Sequence, residues 1–305
     1  MRREVFILDA DDEEYIMSRI EKAMEKAARI RGSAELSPSV DKPPAIHRDQ
    51  PCLEGIETVI ERAMTDKYIV SVMEPQSTAA EQYRTLRARI LKAIKTKNDP
   101  INTIMITSSD KREGKTITAI NLAVAMANVI DYPVVLVDAD LRNPSVHRYL
   151  GIEPEYGLSD YLTGKASLSD ILLRTGIGEL IILPGGLPPE NPAELLSSEK
   201  MKKLVHELKL RHREGSVIFD SSPILLTSDP LSLGSLMDGV LFIIHAALTS
   251  EKSASEAISL IKGCKILGIV FNDVQNYPAK APYPYYSTEG KDKGAEQRKA
   301  KAHRA

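Results

Sequence analysis

Tryptophan is absent from the 305 residues, and only four phenylalanines and two cysteines occur. Cys52 and Cys264 sit in no metal-ligand spacing and are too few for a disulfide framework, which fits a reducing cytoplasm. No apolar run approaches the ~20 residues needed to span a bilayer. The longest, GVLFIIHAAL (Gly239–Leu248), suits a buried strand. The start, MRREVFILDADDEEY, has a short apolar core followed by acids and makes a poor signal peptide. Charge of one sign is also lacking. A net charge of −2 gives no global field for nucleic acid. Any action at a membrane then needs a partner that recruits the chain.

The chain is 43% hydrophobic and 27% charged, ordinary for a soluble globular protein of one large or two modest domains. Residues 17–31 read as an amphipathic helix, with Ser18 and Glu21 in capping-box spacing and Gly32 as a stop. A proline-rich linker and a second short helix, residues 55–64, complete an N-terminal extension over 1–76. Residues 77–94 predict a further helix. From residue 103 the pattern changes. β-branched runs at 103–107, 134–138, 180–184, 216–220, 239–246 and 266–272 are separated by helix-like spacers, notably 115–129 and 193–212. Alternation of this kind predicts an α/β fold, a mostly parallel sheet with helices on both faces, over residues 77–275. Ligands bind such folds at the carboxyl ends of the strands. Residues 276–305, rich in Pro, Tyr and Lys, read as a flexible tail.

The first strand runs into SSDKREGKT, Ser108 to Thr116, and then into a helix. A loop feeding a helix N-terminus points backbone N–H groups at an anion. Gly114 permits close approach, Lys115 neutralises phosphate charge and the Thr116 hydroxyl suits Mg²⁺. The stretch from Ser109 through Asp110, Lys111, Arg112 and Glu113 to Ile117 would line the phosphates. The second strand ends in VVLVDADLR. Asp138 and Asp140, two residues apart, share one side while the chain stays extended. They can hold Mg²⁺ or accept a hydroxyl proton. Arg142 offers a fork for a phosphate or a carboxylate. The fourth strand ends in VIFDSSP, whose Asp220 suits a magnesium ion held through water. Asn272, ending the sixth run, has an amide that can match a purine edge or serve as a turn residue. His147 is a further candidate. His245 reads as a core histidine, and Ser221 and Ser222 as binders of local backbone.

Taken together, these motifs resemble the bacterial tyrosine kinases, a P-loop NTPase family, over roughly residues 77–286. Three further stretches carry the likeness. EQYRTLR supplies Glu81, Arg84 and Arg87 in that family's interface spacing, although on a lone helix such charges pair within it. PPENPAELLSS (Pro188–Ser198) resembles the family's segment after its third strand. Tyr277, Tyr283, Tyr285 and Tyr286 resemble its tyrosine cluster. The segment SRIEKAMEKAARIR is similar to the exosortase-associated branch of the exopolysaccharide tyrosine autokinases.

The resemblance implies ATP and Mg²⁺ as cofactors and transfer of the γ-phosphoryl group to tail tyrosines of a neighbouring subunit. Lys115, Asp138, Asp140 and Asp220 would be catalytic, with Thr116, Asp138 and Asp220 organising the metal. It further implies a homo-oligomer, a ring if the rotation closes, built on Glu81, Arg84 and Arg87. A separate transmembrane chain-length activator and an opposing tyrosine phosphatase would be its partners. The tail itself has seven Lys and Arg against three acids from residue 276 on, leaving it at +4.

Two other readings compete: a positioning ATPase of the same P-loop class, and a non-catalytic ATP-sensing adaptor. The positioning ATPases carry a second lysine five residues before the loop lysine, where this chain has Asp110. The bacterial tyrosine kinases usually place Pro-Gly where this chain has Lys111 and Arg112. The loop therefore reads as a phosphate cradle with a substituted rim.

Overall fold

A computed structural model describes residues 4–6, 66–95 and 101–273. The tyrosine tail, Cys52 and the helices expected at 17–31 and 55–64 lie outside the described residues. The strands are β1 (Glu4–Phe6), β2 (Thr103–Ser108), β3 (Val134–Asp138), β4 (Leu173–Arg174), β5 (Leu180–Leu183), β6 (Ser216–Asp220), β7 (Gly239–His245) and β8 (Ile266–Asn272). They form one sheet in the order β1-β8-β7-β2-β6-β3-β5-β4. The six central strands are parallel, and β1 and β4 close the two edges antiparallel. All six apolar runs read from sequence become these central strands. Strands β2, β3 and β6 are buried along their whole length, as a sheet covered on both faces requires.

Five helices frame the core: α1 (Val70–Met73), α2 (Thr78–Lys95), α3 (Lys115–Ala127), α4 (Glu199–Arg211) and α5 (Glu251–Leu260). Helix α3 is buried almost all round. Ala119, Ile120, Leu122, Ala123, Val124 and Met126 are each under 2% exposed, so it lies between the sheet and α2 rather than on the surface. Helix α2 turns Ala80, Tyr83, Leu86 and Ile90 inward. Arg87 Nη1 donates to the Ala125 carbonyl at 2.9 Å, tying α2 to the last turn of α3, where a cation is favoured.

Three details go beyond the sequence reading. Glu4–Phe6, in the helix-and-linker extension and ahead of its first expected helix, forms a strand paired with Ile269–Phe271 of β8. Residues 68–73, also placed in that extension, pack onto α3: Ser71 N donates to Asn121 Oδ1 at 3.0 Å and Asn121 Nδ2 to the Tyr68 carbonyl at 2.8 Å. The helix expected over 193–212 breaks at Ser198. Its backbone is extended there, and its hydroxyl caps α4 by accepting from Met201 N at 3.2 Å. No helix among the described residues is long and apolar enough to cross a membrane.

Candidate nucleotide site

β2 lies between β6 and β7, so its carboxyl end opens at the centre of the sheet edge. From there the chain turns through Ser109–Gly114 into α3. Gly114 stands before the helix at φ +93, and no side chain caps the helix start. The first-turn N–H groups are therefore left for an anion. A Cβ on Gly114 would lie 2.0 Å from Asn272 Nδ2, so glycine is required here by space as well as by φ. Arg112 takes φ +62, the left-handed region that glycine reaches without strain. The substituted rim thus keeps the turn, at a backbone cost of ~1 kcal/mol.

The loop is held from several sides. The Glu113 carboxylate accepts from Asp110 N at 2.9 Å and from the Thr249 hydroxyl. Asn272 Nδ2 donates to the Glu113 carbonyl at 3.0 Å, and Ser108 Oγ to the Asp110 carbonyl at 2.8 Å. Leu225 N donates to the Ser109 carbonyl from the segment after β6. Asn272, one of whose sequence readings is a match to a purine edge, here turns its amide nitrogen into the loop.

Three carboxylates converge beside it. Asp138 and Asp220 end adjacent strands and pair directly in register, both fully buried. One oxygen of Asp138 accepts from Ser145 N at 2.8 Å and Val146 N at 2.9 Å, while its Oδ1 has no partner. Neither Asp220 oxygen meets a donor in hydrogen-bond geometry. Burial pushes the Asp138 carboxyl up to about 7, against the pull of the Val146 and Ser145 N–H groups. Burial, then the charge of Asp138, raises Asp220 well above the usual range, with the nearby Thr116 hydroxyl and Lys115 opposing. Asp140 is also raised, by burial first. Lys115 is pulled the other way: burial lowers it, and Asp220, Asp140, Glu113 and Asp110 counter. Ser145 Oγ lies 3.4 Å from Thr116 Oγ1, which joins the loop to the β3 end.

Buried acids with unpartnered oxygens beside a hydroxyl and an ammonium fit a hydrated divalent cation. No group of three His, Cys, Asp or Glu among the described residues forms a metal cage. Mg²⁺ is commonly held by one or two carboxylates together with water and phosphate oxygens.

Other candidates fall elsewhere. The Arg142 guanidinium, read in sequence as a fork for a phosphate or a carboxylate, grips the carboxylate of Asp229: Nε donates to Oδ2 at 2.7 Å and Nη2 to Oδ1 at 3.0 Å. Asp229 is 2% exposed and carries no signal in sequence beyond its charge. On α2, Arg84 pairs within the helix with Glu81 at 2.7 Å and also reaches the Pro75 carbonyl. His147 is half-buried, and burial lowers its pKa. His245, expected in the core, is only partly buried at the end of β7: its Nδ1 accepts from Ala247 N at 3.2 Å and its Nε2 lies 3.5 Å from Asp273 Oδ2. Ser221 and Ser222, expected to bind local backbone, do so only in part: Ser221 Oγ donates to the distant Ile106 carbonyl of β2 at 3.0 Å, and Ser222 Oγ pairs with the Thr227 hydroxyl at 2.8 Å.

A parallel sheet with this loop and these acids at one edge defines a nucleotide-binding domain of the P-loop class. Residues 104–283 match the CobQ/CobB/MinD/ParA nucleotide binding domain family. The chain is also 37% identical over 223 residues to the tyrosine-protein kinase YwqD of Bacillus subtilis (strain 168), spanning 72% of this chain and 92% of that protein. It belongs to the bacterial tyrosine kinase family. It is 32% identical over 208 residues to the tyrosine-protein kinase etk of Escherichia coli (strain K12), of whose length it spans 28%. The solved kinase domain of Escherichia coli ETK superposes with a TM-score of 0.64 at 30% identity, covering 70% of this chain and 82% of that one.

Proposed function

We propose that this chain transfers the γ-phosphoryl group of ATP to tyrosines of its own tail, mainly in trans between subunits. The observation that carries this reading is the in-register pair Asp138 and Asp220, buried and short of donors beside Lys115 and Thr116. The first-turn N–H groups of α3 and the Lys115 ammonium hold the phosphates. Thr116, Asp138 and Asp220 would hold Mg²⁺, in part through water, and the ion would supply charge stabilisation between the phosphates. Asp140 is the less buried acid. It orients the incoming phenol and takes its proton, a modest demand since a phenol ionises near ~10. Tyr277, Tyr283, Tyr285 and Tyr286 are the acceptors, carried on a basic segment that also contains Pro278, Pro282 and Pro284.

On this reading Glu81, Arg84 and Arg87 are surface groups whose present bonds exchange for contacts with a neighbouring subunit. A transmembrane activator recruits the chain peripherally to the inner membrane, a phosphatase reverses the modification, and the cycle regulates exopolysaccharide export. Incubation of the full chain with Mg-ATP followed by phosphosite mapping tests the central step. Phosphotyrosine between residues 277 and 286 is expected; its absence in protein that binds ATP overturns the kinase reading.

A further inference from the structure

A carboxylate inside a phosphate loop repels the ligand the loop exists to receive. Glu113 is such a group, and it is 2% exposed. Its geometry resolves the conflict. Both oxygens face the protein: one accepts the Asp110 N–H from within the loop, the other the hydroxyl of Thr249. Thr249 belongs to the turn after β7, where its oxygen also accepts from His245 N at 2.9 Å. The Glu113 carbonyl is held in turn by Asn272 at the end of β8. The phosphate loop leaves β2, and β7 and β8 are the next two strands on that side of the sheet. One residue of the loop is therefore fastened to the carboxyl ends of both.

From this we infer that Glu113 is a positioning residue for nucleotide binding: its carboxylate and Thr249 form a single staple that pre-shapes the loop for the triphosphate. The inference rests on the ATP-binding part of the function proposed above. The need for a staple follows from the rim. Arg112 holds φ +62 without glycine's freedom, and Ser109 stands where glycine is usual, so the loop's curvature must be imposed from outside. A loop already curved has less conformational freedom to lose when ATP arrives. The Glu113 charge, fully buried and turned aside, also helps keep the buried Lys115 ammonium protonated.

The test is a double-mutant cycle read as Mg-ATP affinity by titration calorimetry on the full chain. Glu113→Ala and Thr249→Val are each expected to weaken ATP about tenfold, the scale of one lost buried hydrogen bond. The double variant is expected to weaken it about tenfold as well, not about a hundredfold, because both changes open the same staple. Glu113→Gln keeps an acceptor for Asp110 N and a donor for Thr249, and should stay within about threefold of the parent. Thr249→Val is nearly isosteric, so it remains informative if the Glu113→Ala protein folds poorly. The turnover of ATP-saturated enzyme should change far less than the affinity. Multiplicative losses in the double variant, or a Gln variant as weak as the Ala variant, overturn the inference. Failure of the parent chain to bind ATP would instead overturn the proposed function.

Discussion

Aspartates stand at both edges of the same sheet, in opposite circumstances. At the carboxyl ends of β3 and β6, Asp138 and Asp220 face each other with three of their four oxygens unpartnered. At the amino ends of β2 and β7, Asp238 is surrounded by donors. It accepts from Asn102 N at 3.0 Å, Thr103 N at 3.1 Å and Thr103 Oγ1 at 2.8 Å, and pairs with Lys209 of α4. Burial pushes Asp238 up, but Lys209 and these hydrogen bonds outweigh it and hold the carboxyl below its usual range. Asp238 is only partly buried while Asp138 and Asp220 are fully buried, so weaker desolvation and more donors together reverse the sign of its shift. The satisfied edge stabilises the fold. The starved edge leaves buried carboxylate oxygens without donors at the expense of stability; on the function proposed above, a cation and phosphates would complete it.

The largest expected effect lies at the starved edge. Asp220→Asn should lower tail phosphorylation by about a hundredfold or more, since it removes a charge that organises the metal; a rate within threefold of the parent removes Asp220 from the mechanism. Next is Gly114→Ala, which sets a methyl group 2.0 Å from the Asn272 amide at a positive φ. Mg-ATP affinity should fall by about a hundredfold, measured by calorimetry, with Asn272→Ala in the same chain restoring part of it by clearing the space.

The satisfied edge should answer in stability alone. Asp238→Asn trades a charged acceptor for an amide that cannot serve every donor, and should cost about 2–3 kcal/mol in denaturant unfolding, while phosphorylation by folded protein changes little. The two edges should also respond to pH in opposite senses. Asp138, held at about 7 against 3.8, contributes most below the lower value and loses that contribution as pH rises through the upper one. Asp238, held below 3.8, contributes above that value and loses its contribution as pH falls through its lowered pKa. In metal-free buffer, Asp138→Asn should therefore flatten the stability profile between those two values, and Asp238→Asn should flatten its acid limb. Smallest of all, Arg112→Gly should relax the strained rim and change stability by no more than about 1 kcal/mol, in the stabilising direction.

The sequence exposed one edge far better than the other. Runs such as VVLVD and SVIFD are apolar until their last residue, so the strands and the acids at their ends were legible together. Asp238 was not, because its partners Asn102, Thr103 and Lys209 lie up to 136 residues away and meet only through strand order. The same reason hid the pairing of Arg142 with Asp229, and β1, whose three residues pair with β8 across almost the whole described chain. Glu113 was legible as a member of the phosphate loop, read as one of the residues lining the phosphates. Its inward turn depends on Thr249, which no local pattern announces.

The contrast between the two edges is tested most directly by one measurement: the thermal unfolding midpoint of metal-free, nucleotide-free Asp220→Asn beside the parent chain. A midpoint raised by several degrees, about what 1–2 kcal/mol of relieved strain gives in a domain this size, is the expected result. A midpoint lowered as far as that of Asp238→Asn would show that Asp220 is part of the scaffold, and would contradict the account.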